Sequence, residues 1–262
     1  MATKQPIDLN RLFDDAQTSG VIGPQSSRLL TGDLGTVVVA GAAGRAMEEI
    51  VATEVTLVTV LLDESSSIGY AGLEKTVCSG YNALLDGFLL TRELDSIMVA
   101  LWTFSDEPRV VHAYVPVAEA ERLTRKKYRP RGGTALYDTW CRALAANLAY
   151  AQQLKASGTP CRSVIVLITD GEDTSSTAPI DSCLPLTQDL LRSEEYAFGF
   201  VGVGSDGVFR PIARKMGLPD GAIASSDEAT PERLRQMFQL VSRSAIRASQ
   251  SVVLPTSGGL FN

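Results

Sequence analysis

The chain has 262 residues, 45% hydrophobic and 21% charged, with a net charge of -6. This composition is ordinary for a soluble globular protein, and the length allows one large α/β domain or at most two small ones. The acidic balance argues against affinity of the whole protein for nucleic acid or anionic lipid, though it leaves room for a local basic face.

The N-terminal "MATKQPIDLNRLFDDAQTSG" has no apolar leader-like region, and nowhere does an apolar run reach ~18 residues. A cytoplasmic location with no membrane contact is the expectation. Residues 1–54 read as an N-terminal extension that packs on the main domain. In it, "GTVVVAGAAGRAMEEIVATEV" predicts a strand, a turn and a further strand or short helix. "GAAG" is neither GxGxxG nor a Walker loop, so it reads as a glycine-rich turn between two added strands.

Residues 55–249 carry the repeating pattern of the main domain. Val55–Leu62, Ile97–Phe104, Ser163–Thr169 and Tyr196–Val203 are apolar, rich in Val, Ile and Leu, and barely alternate. Strands covered on both faces of a parallel sheet have that pattern. Val110–Val115 follows Phe104 closely enough, through "SDEPR", to form an antiparallel hairpin strand. Ala222–Ser225 predicts a short last strand. Between these lie helical stripes: Leu73, Val77, Tyr81, Leu84, Leu85 and Phe88; then Tyr137, Cys141, Leu144, Leu148 and Ala151. After a Thr230 cap and Pro231 come Leu234, Met237, Phe238, Val241 and Ala245. The alternation predicts a doubly wound α/β fold, mostly parallel with one antiparallel edge strand and helices on both faces. The tail, 250–262, reads as loosely ordered. Cys78, Cys141, Cys161 and Cys183 form no CxxC pair and are expected to be reduced, mostly buried thiols; with one histidine, His112, no zinc site is suggested.

Three boundaries carry the same chemistry. "DESSS" follows the first core strand, "GGT" precedes a helix, and "ITDGED" ends another core strand. Parallel strands deliver both strand ends to one sheet edge, and the Thr134 loop can reach it. Asp63, Ser65, Ser67, Thr134 and Asp170 are hard oxygen donors suited to one divalent cation such as Mg²⁺. In extended backbone, Ser65 and Ser67 point the same way. Singly, each residue is equally well a turn or helix cap.

Together, in this order, these residues resemble the von Willebrand factor A domain and its metal-ion-dependent adhesion site, DxSxS…T…D, over about Val55 to Ile246. The resemblance implies a Rossmann-like fold and an intracellular bacterial type. It implies Mg²⁺, with Mn²⁺ or Ca²⁺ as substitutes, held by Ser65, Ser67 and Thr134. Asp63 and Asp170 would act directly or through water. It also implies a protein partner whose Asp or Glu completes the shell. Such modules serve as adaptors beside AAA+ ATPases, kinase–phosphatase pairs, or stress and phage-defence systems, and the C-terminal helix shifts in relatives that switch.

Around the site, Arg122, Arg125, Lys126, Lys127, Arg129 and Arg131 precede Thr134. They read as a solvated loop or as a basic rim that steers an acidic partner. Tyr128 is too little aromatic surface for nucleic acid, which is disfavoured. Glu64 and Glu172, if they face outward, oppose an incoming carboxylate. Asp173 is placed to support the site, and Tyr137 and Trp140 to pack in the core. The leading expectation is a non-enzymatic binding module. A Mg²⁺-dependent hydrolase or phosphotransferase is an alternative that lacks an evident base or nucleophile. A structural scaffold with an unused metal site is another.

Overall fold

Val, Ile and Leu fill the strands because helices cover both faces of the sheet. In a computed structural model, which describes residues 7–32, 34–226, 228–250 and 259–261, the strands are β1 (Val55–Asp63), β2 (Ile97–Phe104), β3 (Pro108–Pro116), β4 (Cys161–Thr169), β5 (Tyr196–Val203) and β6 (Ile223–Ser226). Every residue of β1, β2 and β5 is buried. The order is β3-β2-β1-β4-β5-β6, with β3 antiparallel to β2 at one edge and the other neighbours parallel. This is the expected mostly parallel, doubly wound α/β sheet.

Alternate side chains of each strand feed two cores. Val58, Val60, Leu62, Val164, Val166 and Ile168 pack with α5 (Glu74–Leu89) and α9 (Pro231–Gln250). Leu57, Leu61, Ile165, Leu167, Phe198 and Phe200 pack on the other face with α6 (Leu136–Ala156), α7 (Cys183–Arg192) and α8 (Asp206–Lys215). The expected cap of α9 is present, with Arg233 N–H donating to Thr230 Oγ1 at 3.3 Å.

The N-terminal extension differs from the reading of its sequence. It forms α1 (Leu9–Thr18), α2 (Pro24–Leu30) and α3 (Thr36–Ala42), with a single 3-10 turn at Met47–Glu49, and among the described residues it adds no strand to the sheet. The β-branched run Thr36–Val39 favours a strand locally, but tertiary packing wins. As a helix, α3 puts Val38 and Ala42 into the core and brings Gly41 close against Trp102. Asp189 on α7 ties down the start of α2: its Oδ2 accepts from Gly23 N–H at 2.7 Å and from Ser26 Oγ.

The four cysteines are free thiols, three of them buried. Of the tail, residues 251–258 lie outside the described set. Gly259–Phe261 are docked rather than loose: Leu260 N–H donates to the Phe198 carbonyl at 3.0 Å, and Phe261 N–H to that of Gly221 at 2.8 Å. Among the described residues no helix is long and apolar enough to cross a membrane.

Helices α5 and α9 meet at Gly80, where a Cβ would stand 2.2 Å from Phe238 Cδ2. Gly80→Ala would gain up to about 1 kcal/mol of helix propensity. Overpacking of a tight contact outweighs that, at about 1–3 kcal/mol. The variant is expected to show a lower urea midpoint with an unchanged slope.

Candidate metal centre

Strands β1 and β4 are neighbours, but the connection leaving β1 leads to β2 on one side and that leaving β4 leads to β5 on the other. Their loops therefore diverge and open a crevice beyond the carboxyl ends of the strands, where open α/β sheets bind ligands. The register pairs Leu62 with Ile168, so Asp63 closes β1 beside Thr169, and Asp170 comes directly after it.

Asp63 is 1% exposed. Its Oδ1 accepts from Ser65 N–H at 2.8 Å and its Oδ2 from the Thr169 hydroxyl at 2.5 Å. The first bond bends the chain so that Ser65 and Ser67 face the same way. Their hydroxyl oxygens are 2.9 Å apart, and Ser67 Oγ donates to Asp170 Oδ1 at 2.6 Å. Thr134 arrives from the third loop: a Cβ built on Gly171 would lie 3.4 Å from Thr134 Oγ1 and 3.6 Å from Ser67 Oγ. All five residues singled out from the sequence thus meet at one point of the sheet edge.

Thr134 does not cap the helix after it. Helix α6 begins at Leu136, and the Asp173 carboxylate caps it from the neighbouring loop, with Oδ1 accepting from Leu136 N–H at 2.8 Å and Tyr137 N–H at 3.3 Å. That frees the Thr134 hydroxyl for the crevice while its backbone is clamped: its N–H donates to Thr174 Oγ1 at 2.8 Å, and its carbonyl accepts from Thr174 N–H at 2.9 Å. Asp173→Ala is expected to cost about 1 kcal/mol through loss of the cap, read as a lower denaturation midpoint.

The approach to Thr134 depends on Gly132, whose φ of +68° is left-handed and whose Cβ would collide with Asp106. Asp106 Oδ1 accepts from Gly133 N–H at 2.7 Å. The same loop is stitched to β1: Ser66 N–H donates to the Gly132 carbonyl at 3.1 Å, Arg131 N–H to the Glu64 carbonyl at 2.8 Å, and the Tyr128 hydroxyl to the Asp63 carbonyl.

Glu64 turns inward, 7% exposed, where its carboxylate accepts from Arg129 N–H and from Arg109 at 3.0 Å. It is therefore a clamp on the basic loop and presents no charge to the crevice, whereas Glu172 is exposed. Trp140 is buried, as expected, and donates to Thr187; Tyr137 is half-buried. His112 stands apart on β3, 3.1 Å from the Tyr81 hydroxyl. The supporting groups Thr169, Thr174, Asp106 and Tyr128 were not read from the sequence, because their roles depend on contacts 27 to 106 residues away in the chain.

Burial pushes the Asp63 carboxyl up to about 6; the bonds from Ser65 and Thr169 offset part of this, and the nearby Asp170 adds to it. Asp170 is also raised, again chiefly by burial. Two acids held together and partly dehydrated favour a cation between them. Among the described residues no three Asp, Glu, His or Cys side chains gather as a metal cluster. The donor set here is two carboxylates and three hydroxyls, which fits a hard, oxygen-preferring cation and does not fit a thiolate- or imidazole-bound metal.

No family model matches the chain, and no curated protein does. Solved structures do match. Proximal thread matrix protein 1 from the mussel byssus superposes with a TM-score of 0.54 at 19% identity, covering 74% of this chain and 46% of that one. The pilus adhesin SpaC from Lactobacillus rhamnosus GG gives 0.57 at 13% identity, covering 74% and 31%. The PilB minor pilin from Streptococcus sanguinis gives 0.52 at 13% identity, covering 76% and 63%. The chain thus spans less than two thirds of each of these proteins. The shared property is the fold: a doubly wound, Rossmann-like α/β sheet with one antiparallel edge strand, as the resemblance to von Willebrand factor A domains implied.

Proposed function

We propose that the chain is a non-enzymatic protein-binding module whose grip depends on a divalent cation, Mg²⁺ for preference. Asp63, Ser65, Ser67, Thr134 and Asp170 would hold the ion, and an Asp or Glu of a protein partner would complete its shell. The observation that carries this reading is the convergence of the Ser65, Ser67, Thr134 and Asp170 oxygens beside Asp63 at the sheet's ligand-binding edge.

When bound, the ion would supply a site for oxygen-ligand exchange with a partner's acid. The chain's own residues do the preorganising. Thr169 and Ser65 N–H fix both oxygens of Asp63, the Asp63 carbonyl is held by Tyr128, and Asp173 takes over the capping of α6. Rigid donors lose little entropy on binding. Ser67 and Asp170 are only partly buried and form the accessible side of the cluster.

The test is affinity capture with wild type and Asp63→Ala/Ser65→Ala, each with Mg²⁺ and with EDTA. A partner retained only by wild type in Mg²⁺ supports the reading. A partner retained equally in all four conditions overturns it.

A further inference from the structure

The basic loop that passes over the metal centre has a feature the site itself does not require. Of its six cations, Arg122 pairs with Asp86 and Lys127 with Glu121. Arg125, Lys126, Arg129 and Arg131 are exposed and form no ion pair with an acid among the described residues. Arg129 and Arg131 are held beside the crevice: Arg131 N–H bonds to the Glu64 carbonyl, Arg129 N–H to the Glu64 carboxylate, and Arg129 Nε donates to the Lys126 carbonyl at 3.0 Å.

An exposed aromatic residue stands on the same flank. The short helix α4 (Ser66–Tyr70) runs directly from the DESSS loop and ends at Tyr70, which is 90% exposed. A Cβ on Gly69 would lie 3.3 Å from Pro130 Cβ, so the end of α4 that carries Tyr70 lies against the Arg129–Arg131 stretch of the basic loop. Glu74 also approaches this turn, 3.9 Å from the same position, but the flank remains cationic. The acids gather at the metal end of the strip: Asp106 and Glu107 are exposed in the β2–β3 turn, where Asp106 Oδ1 accepts from Gly133 N–H, and Glu172 is exposed two residues after Asp170.

Resting on the metal-dependent reading above, the geometry points to an acidic protein segment as the partner, docked in one direction. One of its carboxylates takes the metal centre. Further acids lie along Arg125, Lys126, Arg129 and Arg131, and its backbone packs on Tyr70. Asp106, Glu107 and Glu172, beyond the metal end of the strip, disfavour the reversed placement by like-charge repulsion. Exposed ion pairs are individually weak, so the strip contributes chiefly preference and encounter rate. Tyr and Arg are both enriched among the residues that anchor interfaces.

Fluorescence anisotropy tests this with two labelled Gly/Ser peptides, one with a single Asp and one with three Glu preceding that Asp. An oligothymidylate serves as the nucleic-acid probe. In Mn²⁺ at low salt, the glutamate-bearing peptide should bind wild type about tenfold tighter than the single-Asp peptide, the sum of a few exposed pairs. In Arg129→Gln/Arg131→Gln the preference should fall to about twofold, while the single-Asp peptide is held as before. Tyr70→Ala should weaken both peptides by about fivefold, the scale of an aromatic anchor.

Equal binding of the two peptides, or an undiminished preference in the double variant, overturns the acidic strip and leaves the metal reading standing. A preference that survives EDTA and Asp63→Ala supports the strip and overturns the metal reading beneath it. Tighter binding of the oligothymidylate than of the acidic peptide assigns the surface to nucleic acid and overturns the proposal. No binding of either peptide overturns both readings.

Discussion

Thermal unfolding in Mn²⁺ or Mg²⁺ at 100 times its dissociation constant is expected to raise the midpoint of the wild-type protein by about 5–10 °C and to leave Asp63→Ala unmoved. An ion that binds only the folded state at that ratio stabilises it by about 2.7 kcal/mol, and each kcal/mol moves a chain of this size by roughly 2–4 °C. Asp63 is the right residue to remove because it is buried and both of its oxygens are fixed by Ser65 and Thr169. Its loss removes half of the site's negative charge and the anchor of the Ser65–Ser67 turn. Residues that merely support a metal ligand change affinity by about 10–100-fold when removed, so Asp63→Ala should cost at least about 100-fold. Equal shifts in the two proteins would place the cation elsewhere.

The second large effect concerns the metal-free protein. Its acid pair is a local cost to the fold, and protonation sets the sign. Burial raises the Asp63 carboxyl from 3.8 to about 6, so between those values the folded state keeps a proton that the unfolded chain has released. The penalty is absent below about pH 4, grows as pH rises and is complete above about pH 6. Two units correspond to about 3 kcal/mol. Asp170 is raised by burial as well and acts in the same direction.

Asp63→Asn removes the charge and keeps the shape. The Thr169 hydroxyl can turn to the Gly171 carbonyl, 3.0 Å away, which leaves its oxygen to accept from the new amide. The metal-free wild type should therefore lose about 3 kcal/mol relative to Asp63→Asn between pH 4 and pH 7, measured as the difference of their urea unfolding free energies in EDTA. Saturating Mg²⁺ should stabilise the wild type and not the variant. A difference that is flat with pH would mean that Asp63 sits in a more polar environment than its burial implies.

These two effects have one origin. An acid buried beside another acid is a cost to the free protein that a divalent cation held there would relieve.

The main elements were legible because their physics is local. Val55–Leu62 reads as a buried strand from eight uncharged residues, and the Thr230-Pro231 start of α9 reads from its cap. The candidate site was legible for a related reason. Strand ends are easily located, parallel strands deliver them to one edge, and Asp63 and Asp170 stand at two such ends. What the sequence hid depends on neighbours distant in the chain. Thr36–Val39 favours a strand until Trp102 and α6 give it a surface on which to lie as a helix. Helix α6, read as one apolar stripe from Tyr137 to Ala151, is buried almost all round because α1 and α3 pack on it as well. That Asp173 and not Thr134 caps α6 depends on a loop 37 residues further on, and Glu64, which the sequence leaves free to face outward, is turned inward by its bonds to Arg109 and Arg129.

The most direct test of the convergent oxygens is an anomalous difference map from crystals grown in Mn²⁺. A single peak among Ser65 Oγ, Ser67 Oγ and Thr134 Oγ1, flanked by Asp63 and Asp170 and lost in Thr134→Ala, is the predicted result. A peak at another acidic cluster, or none at this sheet edge at saturating Mn²⁺, would contradict a metal centre built from these five residues.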